Sequence, residues 1–228
     1  MRRKIKKISD FTMKNLKWTI LFLCIIIFLE LTLDVFQKEI MKKDIIGYQV
    51  ISTYLISDFI TPIAKIITQM GGAIVLLAIT IALLIFLKNK KIGIAVAINL
   101  GVVTLLNLFL KNIVQRPRPN EFRLIDETGY SFPSGHSMVS MAFYGFLIYL
   151  IYKFVKSKRL KWILIIILSA LIITIGISRI YLGVHYTSDV LAGFTISVSY
   201  LVIYTSIVKK FIGKREEKDE VEKQKDNQ

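Results

Sequence analysis

Apolar residues occur along this chain in blocks of about twenty, divided by short polar turns that are mostly basic. Twenty apolar residues at 1.5 Å each span the hydrocarbon of a bilayer, so each block predicts a membrane-crossing helix. The blocks are 16–35, 66–87, 92–114, 137–155, 162–180 and 187–208. Between the first and second, residues 36–64 mix charges with Ile40, Met41, Ile45, Ile46, Val50, Ile51, Leu55, Ile56, Phe59 and Ile60 at roughly helical spacing. That stretch is too polar to cross and predicts one or two amphipathic helices at the membrane surface, ended by Pro62. In the second block Gly71–Gly72 allow close packing or a local bend. In the third, Asn99, Asn107 and Lys111 fall four or eight apart and share one face. The expected fold is all-α: a six-transmembrane-helix integral membrane protein with a short amphipathic outer segment. A basic head (1–15) precedes the helical domain (16–212), and a charged, disordered tail (213–228) follows it.

Composition agrees. Of 228 residues 54% are hydrophobic, and the mean hydropathy of +0.57 exceeds that of soluble domains. The basic opening resembles a signal peptide, but the run behind it is long, ends in Glu30 and Asp34 and lacks a small-residue cleavage site, so it reads as a retained helix. Cys24 is the single cysteine, inside an apolar block, and reads as a small buried apolar residue.

A net charge of +15 raises the question of nucleic acid. Six crossings put both termini on one side. The head through Lys17, the turn at 88–91, the turn at 153–161 and the tail hold 7, 3, 5 and 7 cations, together 22 of 31. Acids split 7 on that side and 9 on the other, so the whole excess lies on the side of the termini. The positive-inside rule makes that side cytoplasmic in a cell membrane and explains the charge without nucleic acid.

The blocks' centres are nearly free of ionisable groups; polar residues gather at their ends. His185 and Asp189 are four apart, within reach on one helical face. A carboxylate there can accept the imidazole Nδ1–H, fix the tautomer and leave Nε2 free as a nucleophile. Arg179 adds a fixed cation suited to an oxyanion such as phosphate. His136 closes Pro133–Ser134–Gly135–His136, and Lys111 precedes Arg118–Pro119 by six intervening residues. The six-span topology brings all these groups to one membrane face, the outer one. Singly, each has a plain alternative: a histidine can be a polar cap, Asp189 an N-cap, and Arg179 or Lys111 a snorkelling cation.

Taken in order, Lys-x6-Arg-Pro, Pro-Ser-Gly-His and Ser-Arg-x5-His-x3-Asp resemble the three-part signature of the type 2 phosphatidic acid phosphatase superfamily, matched at all eleven specified positions from 111 to 189. The resemblance implies a metal-independent phosphatase without cofactor. In it His185 attacks phosphorus and forms a phosphohistidine, Asp189 orients it, and His136 protonates the leaving group. Lys111, Arg118, Ser134, Gly135 and Arg179 would bind the phosphate. It also implies a membrane lipid phosphate or diphosphate as substrate: undecaprenyl diphosphate, favoured by an outer site, or phosphatidylglycerophosphate, phosphatidic acid or diacylglycerol pyrophosphate. Transfer to a lipid or sugar acceptor, or a non-catalytic lipid binder or transporter, are the alternatives. With 14 residues between Arg118 and Pro133 there is no room for a large lid, so lipid is expected to arrive sideways from the bilayer.

Other polar residues receive structural expectations. Arg116 is expected as a loop cation, with contact to substrate left open. Glu121, Arg123, Asp126 and Glu127 are expected as solvated loop charges. Glu30, Asp34 and Lys65 are expected at the interface, with lipid headgroup contact open. Tyr130, Tyr181 and Tyr186 fit an interfacial aromatic belt, and Gly176, Gly183 and Gly193 fit packing or turns.

Overall fold

In the computed structural model the chain is a bundle of eight helices among the described residues: α1 (Arg2–Phe36), α2 (Lys42–Tyr54), α3 (Ile60–Gln69), α4 (Ala73–Phe86), α5 (Lys90–Val114), α6 (Gly135–Phe154), α7 (Lys158–Tyr181) and α8 (Thr187–Lys225). The structure describes residues 2–37, 41–120 and 123–225, with side chains for 15–37, 41–120 and 123–212. Ile40, Glu121 and the side chains of the head and tail lie outside them. α8 runs as helix past Gly213, from which the sequence predicts a disordered tail.

Asn15–Phe36, Lys90–Val114, Gly135–Phe154, Lys158–Tyr181 and Thr187–Ile212 are each long and apolar enough to cross a membrane. The predicted second span is two helices: α3 and α4 meet at a 48° bend over 70–72 and count as a sixth crossing if taken together. The glycine pair makes the bend possible. A Cβ on Gly71 would stand 2.8 Å from Ile175 Cγ2, so α3 reaches α7 closely only with glycine there. Pro62 lies in the first turn of α3 and ends nothing, because a first-turn N–H has no helical acceptor to lose.

Local signals set the other boundaries. Asn89, Ser134 and Ser157 cap α5, α6 and α7 by accepting the N–H of Lys91, Ser137 and Leu160. α5 ends where Gln115, at φ 51°, turns the chain toward the bundle. Outward faces stay apolar: Ile74, Phe86, Leu105, Ile166 and Ile207 are among the most exposed side chains, as a hydrocarbon environment requires. α2 carries Ile45, Ile46 and Val50 outward beside exposed Lys42 and Lys43, and buries Asp44 against the protein.

Inside, α6 packs against α5, α7 and α8, and α1 against α8. Val96, Phe143, Phe146 and Ile175 fill the core. Side chains that bond backbone across helices fix the register. Asn99 Nδ2 donates to the Ala142 carbonyl (3.0 Å), Ser197 Oγ to Met138 (2.7 Å) and Tyr144 Oη to Met70 (2.7 Å). The Asn99–Asn107 face predicted from spacing is the face turned to α6, with Asn107 Nδ2 donating to Pro133 (3.3 Å). Tyr181 is buried against Ser57 and Thr61, 2.8 Å from the Thr61 hydroxyl, and does not belong to an aromatic belt.

At Gly193 the start of α6 lies on α8: a Cβ would come 3.0 Å from the Ser134 carbonyl oxygen and 3.1 Å from Met138 N, both backbone. Gly193→Ala is therefore expected to cost about 1–3 kcal/mol through overpacking. Gly101→Ala, with nothing within 4 Å of the new Cβ, should be neutral or gain up to about 1 kcal/mol of helix propensity. Thermal unfolding of the two variants in one detergent checks this; equal midpoints would contradict it.

Candidate active site

The end of α5, the start of α6, the end of α7 and the start of α8 converge, with the described parts of the intervening loop, 115–120 and 123–134, bonded against them. The loop is held down: Ser131 N donates to the Arg116 carbonyl (2.8 Å) and Leu124 N to Leu182 (3.0 Å). Arg118 binds the carbonyls of Gly129 (2.9 Å) and Thr128 (2.9 Å). All eight residues singled out from the sequence lie in this region.

Asp189 is fully buried, and both its oxygens are engaged. Oδ1 accepts Arg116 Nη1 (2.6 Å). Oδ2 accepts the Ser131 hydroxyl, the Tyr186 N–H (2.9 Å) and His185 Nδ1–H (3.4 Å). On the far side of the imidazole, Arg118 Nη1 donates to His185 Nε2 (3.0 Å). A guanidinium has no acceptor, so Nε2 must be the unprotonated nitrogen and Nδ1 must carry the proton. The ring is thus held in the tautomer whose lone pair faces the cations. Burial holds the His185 pKa down at about 4, with Arg179 and Arg118 adding to the shift and Asp189 opposing it.

Arg179, 1% exposed, donates Nη1 to Thr68 Oγ1 (2.7 Å) and Nη2 to Glu127 Oε1 (2.5 Å). Its Nε is buried without a partner among the described residues, a donor that a ligand oxygen would satisfy. Glu127 also lies 3.8 Å from Arg118 Nη2. It is not the solvated loop charge expected from the sequence. Burial would raise its carboxyl pKa, but Arg179, with His136 and Arg118, more than offsets that and holds it below the usual range. Lys111 donates to the Tyr130 carbonyl and shares the field of Arg118, Arg179 and Glu127. Ser134 uses its hydroxyl to cap α6, so what it and Gly135 offer an anion is the helix start itself. Half-buried His136 sits under the α3–α4 bend, its Cδ2 3.4 Å from the Cβ position of Gly71.

Arg116 is the main correction. It is in the loop after α5 as expected, but buried there, and it bridges Asp189 to Asp44 of α2 (2.9 Å). Burial alone would lower its pKa; Asp189 and Asp44 more than offset that. Tyr186 covers it, ring centroid 4.0 Å from Cζ, in place of a belt position. Asp44, Ser131 and Ser188 escape sequence reasoning. The Arg116–Pro117 pair two residues before Arg118–Pro119 signals Arg116; nothing local signals the other three. A cavity of about 800 Å³ opens beside His185 and Arg118, walled by α2 (Asp44, Ile45, Tyr48, Gln49) and by Tyr186.

Lys111, Arg118 and Arg179 against Glu127 leave two positive charges, the complement of a phosphate dianion. No cluster of three or more His, Cys, Asp or Glu able to hold a metal occurs among the described residues.

The family model of the PAP2 superfamily matches residues 91–212, which hold His136, His185, Asp189, Lys111, Arg116, Arg118, Glu127 and Arg179; the groups from α2 and α3 lie outside it. Phosphatidylglycerophosphatase B of Bacillus subtilis is 35% identical over 137 residues, 58% of this chain and 67% of that protein. An undecaprenyl-diphosphatase of Sulfolobus acidocaldarius is 30% identical over 191 residues, 78% of this chain and 88% of the relative. The crystal structure of a PAP2 type phosphatidylglycerolphosphate phosphatase from Bacillus subtilis superposes with a TM-score of 0.72 at 26% identity, covering 83% of this chain and 96% of that one.

Native His185 titrates near 4 and an unfolded histidine near 6.5, so the unfolded state binds the proton first and acid favours unfolding. Stability is expected to fall as pH drops from about 6.5 to 4, and His185→Gln should flatten that part of the curve. Melting temperatures across that range check it; parallel curves for the two proteins would contradict a buried neutral imidazole.

Proposed function

The chain belongs to the PAP2 superfamily, and from that premise we propose that it hydrolyses a membrane lipid phosphate or diphosphate through a phosphohistidine on His185. The observation that carries this reading is the tautomer of His185: Nδ1–H turned to Asp189 and the Nε2 lone pair turned to Arg118. An incoming phosphate gives Arg118 oxygens to bind, which frees Nε2. Nε2 attacks phosphorus; the P–N bond forms as the P–O bond to the leaving group breaks. Lys111, Arg118 and Arg179 take up the charge of the equatorial oxygens, the usual main contribution in phosphoryl transfer. His136 gives its proton to the leaving oxygen. It then accepts one from the water that hydrolyses the P–N bond, releasing phosphate.

The cationic make-up of the site supports chemistry without a metal, since Lys111, Arg118 and Arg179 already do the charge neutralisation a divalent ion would supply and would repel one. The cavity beside α2 supports lateral access of a lipid. The cationic excess at the termini supports a cytoplasmic head and tail and an extracytoplasmic site in the cell membrane. An outward site favours undecaprenyl diphosphate, because hydrolysis there regenerates carrier lipid where the diphosphate is released. The names of two relatives, an undecaprenyl-diphosphatase and a phosphatidylglycerophosphatase, make that lipid and phosphatidylglycerophosphate the first to try.

The test is phosphate release by the purified protein from undecaprenyl diphosphate, phosphatidylglycerophosphate, phosphatidic acid and diacylglycerol pyrophosphate, with and without EDTA. Release should survive EDTA and fall at least about 10³-fold in His185→Ala, as for loss of a nucleophile. Wild type quenched in alkaline detergent should carry phosphate on His185 that later treatment with acid releases. The acid limb of kcat/KM should lie near pH 4, where His185 protonates, and not near 6.5. No release from any of the four lipids by folded protein would refute the phosphatase reading. Good turnover of the glycerolipids alone would refute the preference for undecaprenyl diphosphate.

A further inference from the structure

We propose that Asp44, Arg116 and Ser188 form a positioning relay that holds the Asp189 carboxylate on His185, which makes the surface helix α2 a working part of the site. The proposal rests on the reading of His185 as the nucleophile and extends it by three residues. None of the three is bonded to Lys111, Arg118 or Arg179, the cations that would hold phosphate. All three act through Asp189.

The geometry closes on itself. Arg116 Nη1 donates to Asp189 Oδ1 (2.6 Å) and to Ser188 Oγ (2.7 Å), while Nη2 donates to Asp44 Oδ2 (2.9 Å). Ser188 Oγ–H in turn donates to Asp44 Oδ2 (3.0 Å), and Ser188 N donates to Asp44 Oδ1 (2.8 Å). The side chains of Asp44 and Asp189 are at most 1% exposed and that of Arg116 7%. The guanidinium plane is held between two carboxylates, with the Tyr186 ring over it, so the Asp189 oxygens cannot rotate away from Nδ1 without breaking several charged bonds. A staple for α2 alone would need only one carboxylate on Arg116. Here the same guanidinium spans both, and Ser188 sits directly before Asp189 in the chain.

The charges give the relay a signed signature. Asp44, Arg116 and Asp189 sum to one negative charge, which a positive imidazole balances. Around His185 stand Asp189 from α8, Arg118 from the loop after α5, Arg179 from α7 and His136 from α6. Arg116 and Lys111 reach it through Asp189, Glu127 stands behind Arg179, and Tyr48 and Tyr186 line its cavity. Removing the Arg116 charge leaves Asp189 uncompensated and favours His185 protonation. Neutralising Asp44 leaves Arg116 wholly to Asp189 and disfavours it. Loosened packing would act differently, moving His185 toward an ordinary histidine in both cases.

The experiment uses full-length protein with 13C-labelled histidine, whose two residues give two NMR signals, in wild type, Arg116→Gln, Asp44→Asn, the double variant and Ser188→Ala. The His185 midpoint should rise in Arg116→Gln. In Asp44→Asn it should fall, or His185 should stay neutral to the lowest pH at which the protein is folded. Kinetically, kcat should drop about 10–100-fold in Arg116→Gln with KM within about threefold, the loss usual when an outer partner stops orienting an inner one. Asp44→Asn should add nothing in the Arg116→Gln background. Should Arg116→Gln not fold, Ser188→Ala carries the test, removing one bridging hydroxyl for about a three- to tenfold loss of kcat. Midpoints that rise in both single variants, additive losses, or an unchanged kcat in folded Ser188→Ala would overturn the relay. A wild type that releases no phosphate overturns the phosphatase reading instead, and the NMR midpoints still decide the relay.

Discussion

A carboxylate with no exposure to water is costly unless every lone pair is met, and Asp189 shows what it takes. Its side chain collects Arg116, Ser131, His185 and the Tyr186 backbone, and its own carbonyl accepts the Ser134 N–H at 3.0 Å. One residue at the start of α8 therefore ties down the loop after α5, the start of α6, the turn after α7 and, through Arg116, the surface helix α2.

The crossings were legible because hydropathy over twenty residues is a coarse, additive signal. So was the candidate site, because Lys111, Arg118, His136, Arg179, His185 and Asp189 stand at fixed spacings near the ends of apolar blocks. What escaped depends on partners far away in sequence. Arg116 and Asp44 are 72 residues apart, and neither is marked as buried by its neighbours. Glu127 looks like any loop acid until the fold sets it on Arg179. Tyr181 has the composition of a belt residue, yet α3 comes down over it. Pro62 was misread for a local reason: a proline is tolerated in the first turn of a helix, and the sequence does not show where that turn begins. The double glycine at 71–72 left a bend open, and the close approach of Ile175 to Gly71 accounts for it.

The site also explains why a loop this short is enough. Arg118 spends its donors on the Gly129, Thr128 and Val184 carbonyls as well as on His185, so the loop's own backbone holds the guanidinium in place. Little conformational entropy remains to be lost when an anion binds, and no separate lid has to order itself over the ligand. The adjoining cavity is walled by apolar Ile45, Pro117 and Ile180 as well as by polar Gln49, Ser52 and Asn120.

The hydrogen bond from Arg118 to Nε2 is a form of chemical silence. A lone pair held by a guanidinium is a poor partner for any neutral electrophile, which has nothing to offer the arginine in exchange. On the proposed reading, a molecule that brings its own negative charge offers the Arg118 N–H another acceptor and so releases the nitrogen as it binds, while the guanidinium stays on its three carbonyls. Preference for charged over uncharged phosphorus compounds would then be built into the resting site.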